Sequence, residues 1–223
     1  FADKQNYYAD NKSLKEENEA LKQQIAEMEA TVRQGEAASR ENAFLRDLLD
    51  LRQQRRDLSD FETATVTERS VTNWTSSLTL DKGSAHGVEV GDCVIDGAGA
   101  LVGRVSRVGY NWSTVLTVVD TDTSLGARVY RTQDIGIAAG DFALMGDGLL
   151  KLDSLPASAQ LLEGDLVVTS GFGGYIPPDL VIGSVTELRA EDSDTTVYAV
   201  LTPAADLASL TEVCIIKSFE VVN

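Results

Sequence analysis

A mainly β protein, with an N-terminal coiled-coil helix and small β-barrels behind it, is what this sequence leads one to expect. Three observations carry that expectation. Apolar residues recur every seven positions near the N-terminus. From Phe61 onward, short runs rich in Val, Thr, Ile and Leu alternate with Gly, Asp, Asn and Ser. One short phrase occurs twice in that region, as GVEVGDCVI at 87–95 and QLLEGDLVV at 160–168, each followed by a Gly-x-Val strand, LVGRV at 101–105 and LVIGSV at 180–185.

The helix comes first. Tyr7, Leu14, Leu21 and Met28 are seven residues apart and take the d positions of a heptad. The a positions then read Asn11, Asn18, Ile25 and Val32. Asn at a lowers stability but fixes register and oligomer state in parallel two-stranded coils. Asp10 and Glu17 fall at g, Lys15 and Lys22 at the following e, which suits a parallel pair. The pattern falters at Gly35 and resumes in a new phase at Phe44, Leu48, Leu51 and Leu58, with Leu45 and Leu49 widening the stripe. A wider stripe suits packing against something other than an identical helix. The expected element is a dimerisation helix over residues 1–60. The alternative for the same stripe is a single amphipathic helix lying on the β domains.

The strands follow at 62–71, 75–80, 92–95, 101–108, 113–118, 125–130, 135–139, 149–152, 165–169, 180–188, 195–201 and 212–222. Their shortness and the turn residues between them favour barrels over a flat sheet. The two Gly-Asp pairs lie 73 residues apart (Gly91, Gly164) and the two Gly-x-Val glycines 80 apart (Gly103, Gly183), as two diverged modules with a small insertion would show. Glycine supplies a positive-φ turn, and the aspartate can cap it. The first barrel is expected over 61–131 and the second over 132–223, with the last strand a candidate to return and complete the first.

Composition narrows the function. The formal net charge is −16. Residues 1–60 hold 13 acidic and 10 basic side chains, residues 61–223 hold 22 and 9. The β region is therefore the acidic one, which argues against a nucleic-acid surface. No apolar run is long enough to span a bilayer, and no signal peptide is visible.

Catalytic signals are weak. The only histidine, His86, sits in a turn (KGSAHGVEVGD), with Ser84 beside it. Ser170 in VVTSGFGG lacks the Gly-Asp-Ser-Gly surroundings of a trypsin-like nucleophile. Cys93 and Cys214 each lie in an apolar stretch, as small hydrophobes do. One His and two scattered Cys give no zinc spacing. Asp120/Asp122 and Glu191/Asp192/Asp194 read as solvated turns rather than calcium loops. SGFGGYIPPD lacks the Gly-Lys-Ser/Thr of a phosphate cradle. It reads as a defined loop, either a contact surface through Phe172, Tyr175, Ile176 and Pro177 or an inter-barrel connection. No cofactor or metal is expected. Trp74, Trp112 and Tyr175 are the few candidates for a carbohydrate platform.

Four stretches, in order, resemble one family. They are ENAFLRDLLDL at 41–51, LTLDKGSAHGVEVGDCVIDGAGALVGRVSRV at 78–108, GDLVVTSGFGGYIPPDLVIGSV at 164–185 and PAADLASLTEVCII at 203–216. The chain resembles the MreC family of bacterial rod-shape-determining proteins. That resemblance implies two six-stranded barrels, similar to chymotrypsin-like barrels but without a triad. It also implies a transmembrane helix ahead of Phe1 and an extracytoplasmic position for this part of a single-pass membrane protein. The implied role is a non-catalytic scaffold for peptidoglycan synthesis during elongation. The implied partners are MreD, RodA, a class B penicillin-binding transpeptidase and, indirectly, MreB; the heptad adds a second copy, and self-association of the barrels would add filaments of copies. An extracytoplasmic serine hydrolase and a cell-wall carbohydrate-binding module are the alternatives.

Overall fold

The computed structural model describes residues 2–72, 75–156, 158–190 and 197–219. The chain divides into two units, residues 1–46 and 47–223. The first unit is helix throughout its described residues and belongs to α1 (Ala2–Gln54). On it, Leu21, Ile25, Met28 and Val32 form an apolar row that is 51–61% exposed. Along the helix, Arg33 pairs with Glu29 at 3.8 Å.

α1 ends at Gln54, and Arg55 N–H donates to Leu51 O at 2.7 Å as the chain turns. The heptad reading extends the helix through Leu58. Instead Leu58 opens β1 (Leu58–Val71) and is buried in the barrel. It continues the heptad phase, but Asp57 just before it favours a turn over another helical step.

Among its described residues, the second unit holds twelve strands in two closed antiparallel barrels. β2 (Ser76–Leu80), β3 (Cys93–Ile95), β4 (Leu101–Val108) and β5 (Ser113–Thr117) join β1 in the first. β6 (Ser124–Val129), β7 (Ile135–Gly140), β8 (Leu150–Asp153), β9 (Leu166–Thr169), β10 (Val181–Ala190) and β11 (Val197–Pro203) form the second. The chain then returns, and β12 (Glu212–Phe219) closes the first barrel between β1 and β3. The start of the predicted strand at 195 and the end of the one at 222 lie outside the described residues.

The boundary expected at 131/132 moves to the segment 118–123. β6 pairs with β7 and β9, and its Leu125, Ala127 and Val129 are buried in the second barrel. Asp120, expected in a solvated turn, is 1% exposed. Its carboxylate accepts from Ser76 N–H at 2.7 Å and Asp122 N–H at 2.9 Å, which fixes the crossing between barrels.

The two barrels share one topology. Around the first, the order is β12-β3-β4-β5-β2-β1; around the second, it is β6-β9-β10-β11-β8-β7. β12 thus occupies the place of β6, and the first barrel is a circular permutation of the second. The duplicated phrase marks equivalent positions. Gly91 (φ +104) donates to Val105 O at 2.8 Å, and Gly164 (φ +86) to Val185 O at 2.7 Å. Asp92 Oδ2 accepts from Glu89 N–H, and Asp165 Oδ2 from Leu162 N–H, both at 2.9 Å. Their settings differ: burial pushes the Asp92 carboxyl up, whereas the hydrogen-bonded Arg131 guanidinium holds that of Asp165 down.

The Gly-x-Val glycines also have one cause. A Cβ at Gly103 would come within 2.0 Å of Leu116 O, and one at Gly183 within 2.1 Å of Thr202 O. Each lies where the neighbouring strand presses its backbone against β4 or β10. Gly103→Ala and Gly183→Ala are therefore each expected to lower unfolding free energy by about 3 kcal/mol, near the top of the range for overpacked cores. Denaturant unfolding measures this, and a loss under about 0.5 kcal/mol at both sites, within the scatter of surface substitutions, would contradict it.

Candidate functional site

The loop between β9 and β10, residues 170–180, is built to hold two aromatic side chains in solvent. Gly171, Gly173 and Gly174 all adopt positive φ (+73, +85 and +71), which L side chains rarely reach. The turn they make lifts Phe172 and Tyr175 to 69% and 77% exposure. Composition alone places Ile176 and Pro177 beside them as contact residues. Both are buried instead, because the chain folds back after Tyr175.

The base of the loop is pinned. Thr169 Oγ1 donates to Pro177 O at 2.6 Å and accepts from Leu180 N–H at 2.9 Å. Ser170 N–H donates to Gly126 O at 2.9 Å, and Ser170 Oγ accepts from Phe172 N–H at 3.3 Å. Asp179, the residue that turns back into β10, is held at φ +62. Its carboxylate pairs with Arg128 on β6.

A second brace arrives from the end of the helix. Arg55 Nη2 donates to Pro178 O at 2.8 Å, and Nη1 to Asp179 O at 3.0 Å. The same guanidinium grips Asp57 through Nε at 2.9 Å and Nη2 at 2.7 Å. That double hydrogen bond holds the Asp57 carboxyl below the usual range, against the opposing effect of burial. Beside the loop, the outward residues of β7, Ile135 and Ile137, are 43% and 40% exposed. Ile137 lies opposite Gly126, over which Ser170 sits: a Cβ there would be 2.6 Å from Ser170 Oγ. The loop and this flank make a surface with exposed apolar groups and a braced backbone.

Of the four loop residues expected from the sequence, Phe172 and Tyr175 are exposed; Arg55, Arg128, Ile135 and Ile137, which flank or brace the loop, carry no such expectation. The Ile-Gly-Ile alternation at 135–137 is a usable signal, since it places both isoleucines on one strand face.

The chemical candidates do not assemble. His86 caps its own turn, its Nδ1 accepting from Gly83 N–H at 3.4 Å, and Ser84 lies within that same turn. Ser170 belongs to the other barrel and caps Phe172. Among the described residues, no group of three or more His, Cys, Asp and Glu is placed to hold a metal ion. Residues 191–194 lie outside the described residues, as does Trp74. Trp112 is half solvent-exposed beside Gly109, where a Cβ would strike its indole ring. A cavity of about 530 Å³ lies between the barrels, lined by Val71, Leu78, Val119, Met145, Ala205 and Leu207 among others. No helix of the described residues is long and apolar enough to cross a membrane.

Residues 66–217 match the family model described as "Rod shape-determining protein MreC, barrel core". The chain belongs to the MreC family. The cell shape-determining protein MreC of Listeria monocytogenes is 32% identical over 181 residues, which cover 80% of this chain and 60% of that protein. The chain thus spans less than two thirds of that relative. A solved MreC structure superposes with a TM-score of 0.71 at 27% identity, covering 81% of this chain and 99% of its own. Another neighbour is a complex between a penicillin-binding protein (PBP2) and MreC from Helicobacter pylori. Its matching chain shares the fold, with a TM-score of 0.54 and 19% identity, over 71% of this chain and 99% of that one. The MreC family is one of shape-determining structural proteins, not enzymes, which sets aside the serine hydrolase alternative.

Cys93 and Cys214 are free, buried on β3 and β12, and burial pushes each thiol up to about 12. Neither is expected to react with iodoacetamide at pH 8 over an hour in the native protein, and both should react once it is denatured. Rapid native alkylation, read by mass spectrometry, would contradict the buried placement.

Proposed function

We propose that this MreC-family chain is a non-catalytic, membrane-anchored scaffold of the elongation machinery for peptidoglycan. A membrane segment ahead of Phe1 would leave the barrels on the extracytoplasmic face. In this reading α1 pairs with a second copy through the exposed row of Leu21, Ile25, Met28 and Val32. Asn18 is also exposed, while the side chains of Tyr7, Asn11 and Leu14 lie outside the described residues. The second barrel docks a class B penicillin-binding transpeptidase and favours its active arrangement, which requires tighter binding to that conformer. MreD, RodA, filaments of copies and, indirectly, MreB complete the assembly.

One observation carries the docking surface. Two aromatic side chains stand 69% and 77% exposed on a loop whose backbone is braced on both legs. Exposed aromatics with little conformational entropy to lose are the residues that dominate interfaces. The Helicobacter pylori complex, in which MreC is bound to a penicillin-binding protein, supports the choice of partner.

The test is binding of the purified chain to the extracytoplasmic domain of its own organism's class B transpeptidase, by biolayer interferometry at physiological salt. The double variant Phe172→Ala/Tyr175→Ala is expected to weaken binding at least tenfold and leave the melting temperature unchanged. Equal affinity for variant and wild type would remove the loop from the interface. A separate expectation concerns the helix: Asn18→Leu should leave the barrels folded and change the oligomer state or raise thermal stability. Sedimentation equilibrium and calorimetry read it, and no change in either would defeat the proposed register.

A further inference from the structure

The brace on the aromatic loop comes from a residue whose chain neighbours belong to the helix end. Leu51, in the last turn of α1, sits on Gly99 of the first barrel: a Cβ at Gly99 would be 2.8 Å from Leu51 Cδ1. Gly99 is buried there at φ +88, in a turn held by Asp96, whose Oδ1 accepts from Ala98 N–H at 3.0 Å and Ala100 N–H at 2.8 Å. Ala100 bridges in parallel to Val181 of the second barrel. Val181 begins the strand that Pro178 and Asp179 lead into, and their carbonyls accept from Arg55. Arg55 N–H in turn donates to Leu51 O.

The contacts therefore close a ring: Leu51 to Gly99, Ala100 to Val181, the leg of the loop to Arg55, and Arg55 back to Leu51. Lifting the last helical turn from the first barrel therefore means breaking the Arg55–Leu51 hydrogen bond, breaking the fork or disturbing the loop. Asp57 fixes one edge of the guanidinium, so its other edge has a set direction. The loop itself, with three positive-φ glycines, has little intrinsic preference for its present shape.

We propose that Arg55 is a positioning residue that couples the end of the helix to the aromatic loop, so that loosening the last helical turn from the first barrel releases Phe172 and Tyr175. The functional sense of this coupling rests on the reading of the loop as the docking surface. A partner gripping the loop would, by reciprocity, tighten the helix end. The device gives a scaffold a way to present its docking surface only when the last turn of its helix is seated.

The test needs no partner and so fails or succeeds apart from the docking proposal. Hydrogen exchange of amides 171–176 and chymotryptic cleavage after Phe172 and Tyr175 are measured on the full chain, with the amides of β9 and β10 as the folding control. Arg55→Ala is expected to speed loop exchange at least tenfold. Leu51→Ala is expected to speed it at least threefold, although Leu51 packs on the first barrel's turn. Arg55→Lys, which keeps the charge and loses the fork, should fall between wild type and Arg55→Ala. Wild-type loop rates in Leu51→Ala would overturn the coupling even if Arg55→Ala loosens the loop. A wild-type rate in Arg55→Lys would overturn the role of the fork.

Discussion

Both barrels owe their arrangement to the pairing of β12 with β1 and β3. Val213, Cys214, Ile215 and Ile216 are all at most 2% exposed, so β12 is buried core as well as ladder on both edges. Without it, β1 and β3 are open edges. β1 is long enough to serve two neighbours in succession, β12 along 58–65 and β2 along 66–71. Closing the first barrel thus brings together strands about 150 residues apart, and the entropy of that closure grows only slowly with the separation. The whole second barrel is inserted within the first.

That insertion creates the two crossings between barrels and explains their polar chemistry. At the first crossing, Thr117 Oγ1 donates to Ser76 Oγ at 2.8 Å and Thr123 Oγ1 to Thr117 O at 2.8 Å, around the buried Asp120 carboxylate. At the second, Arg69 on β1 donates to the carbonyls of Leu207 and Leu210. Backbone groups in connecting segments need such partners once they are taken from water. With the barrels tied at both crossings and bridged at Ala100 and Val181, the aromatic loop and the last turn of α1 share one frame. Every hydrogen bond between Arg55 and the loop relies on that frame.

Local features of this fold are legible in the sequence. Short β-branched runs between turn residues locate strands such as 101–108 to the residue. The repeated Gly-Asp and Gly-x-Val phrases mark real equivalences, since each requires a particular backbone shape or close approach. Barrel membership is harder to read. β6 follows the first barrel without a break in composition, and only its partners assign it to the second. Leu58 fits a helical stripe and a strand equally well, and tertiary burial decides between them. The loop's composition gives its turns but not its facing, so Ile176 and Pro177 look as available as Tyr175. Arg55 is invisible at that level: its partners are 123 and 124 residues away, and nothing local marks it.

If the first barrel is a permuted copy of the second, it cannot close without the last strand. Hydrogen exchange on a chain ending at residue 211 decides the matter. Amides of β1 to β5 should lose their protection while those of β6 to β11 keep it. Retained protection in β1 to β5 would mean that the first barrel closes without β12, and the arrangement would then not depend on that pairing.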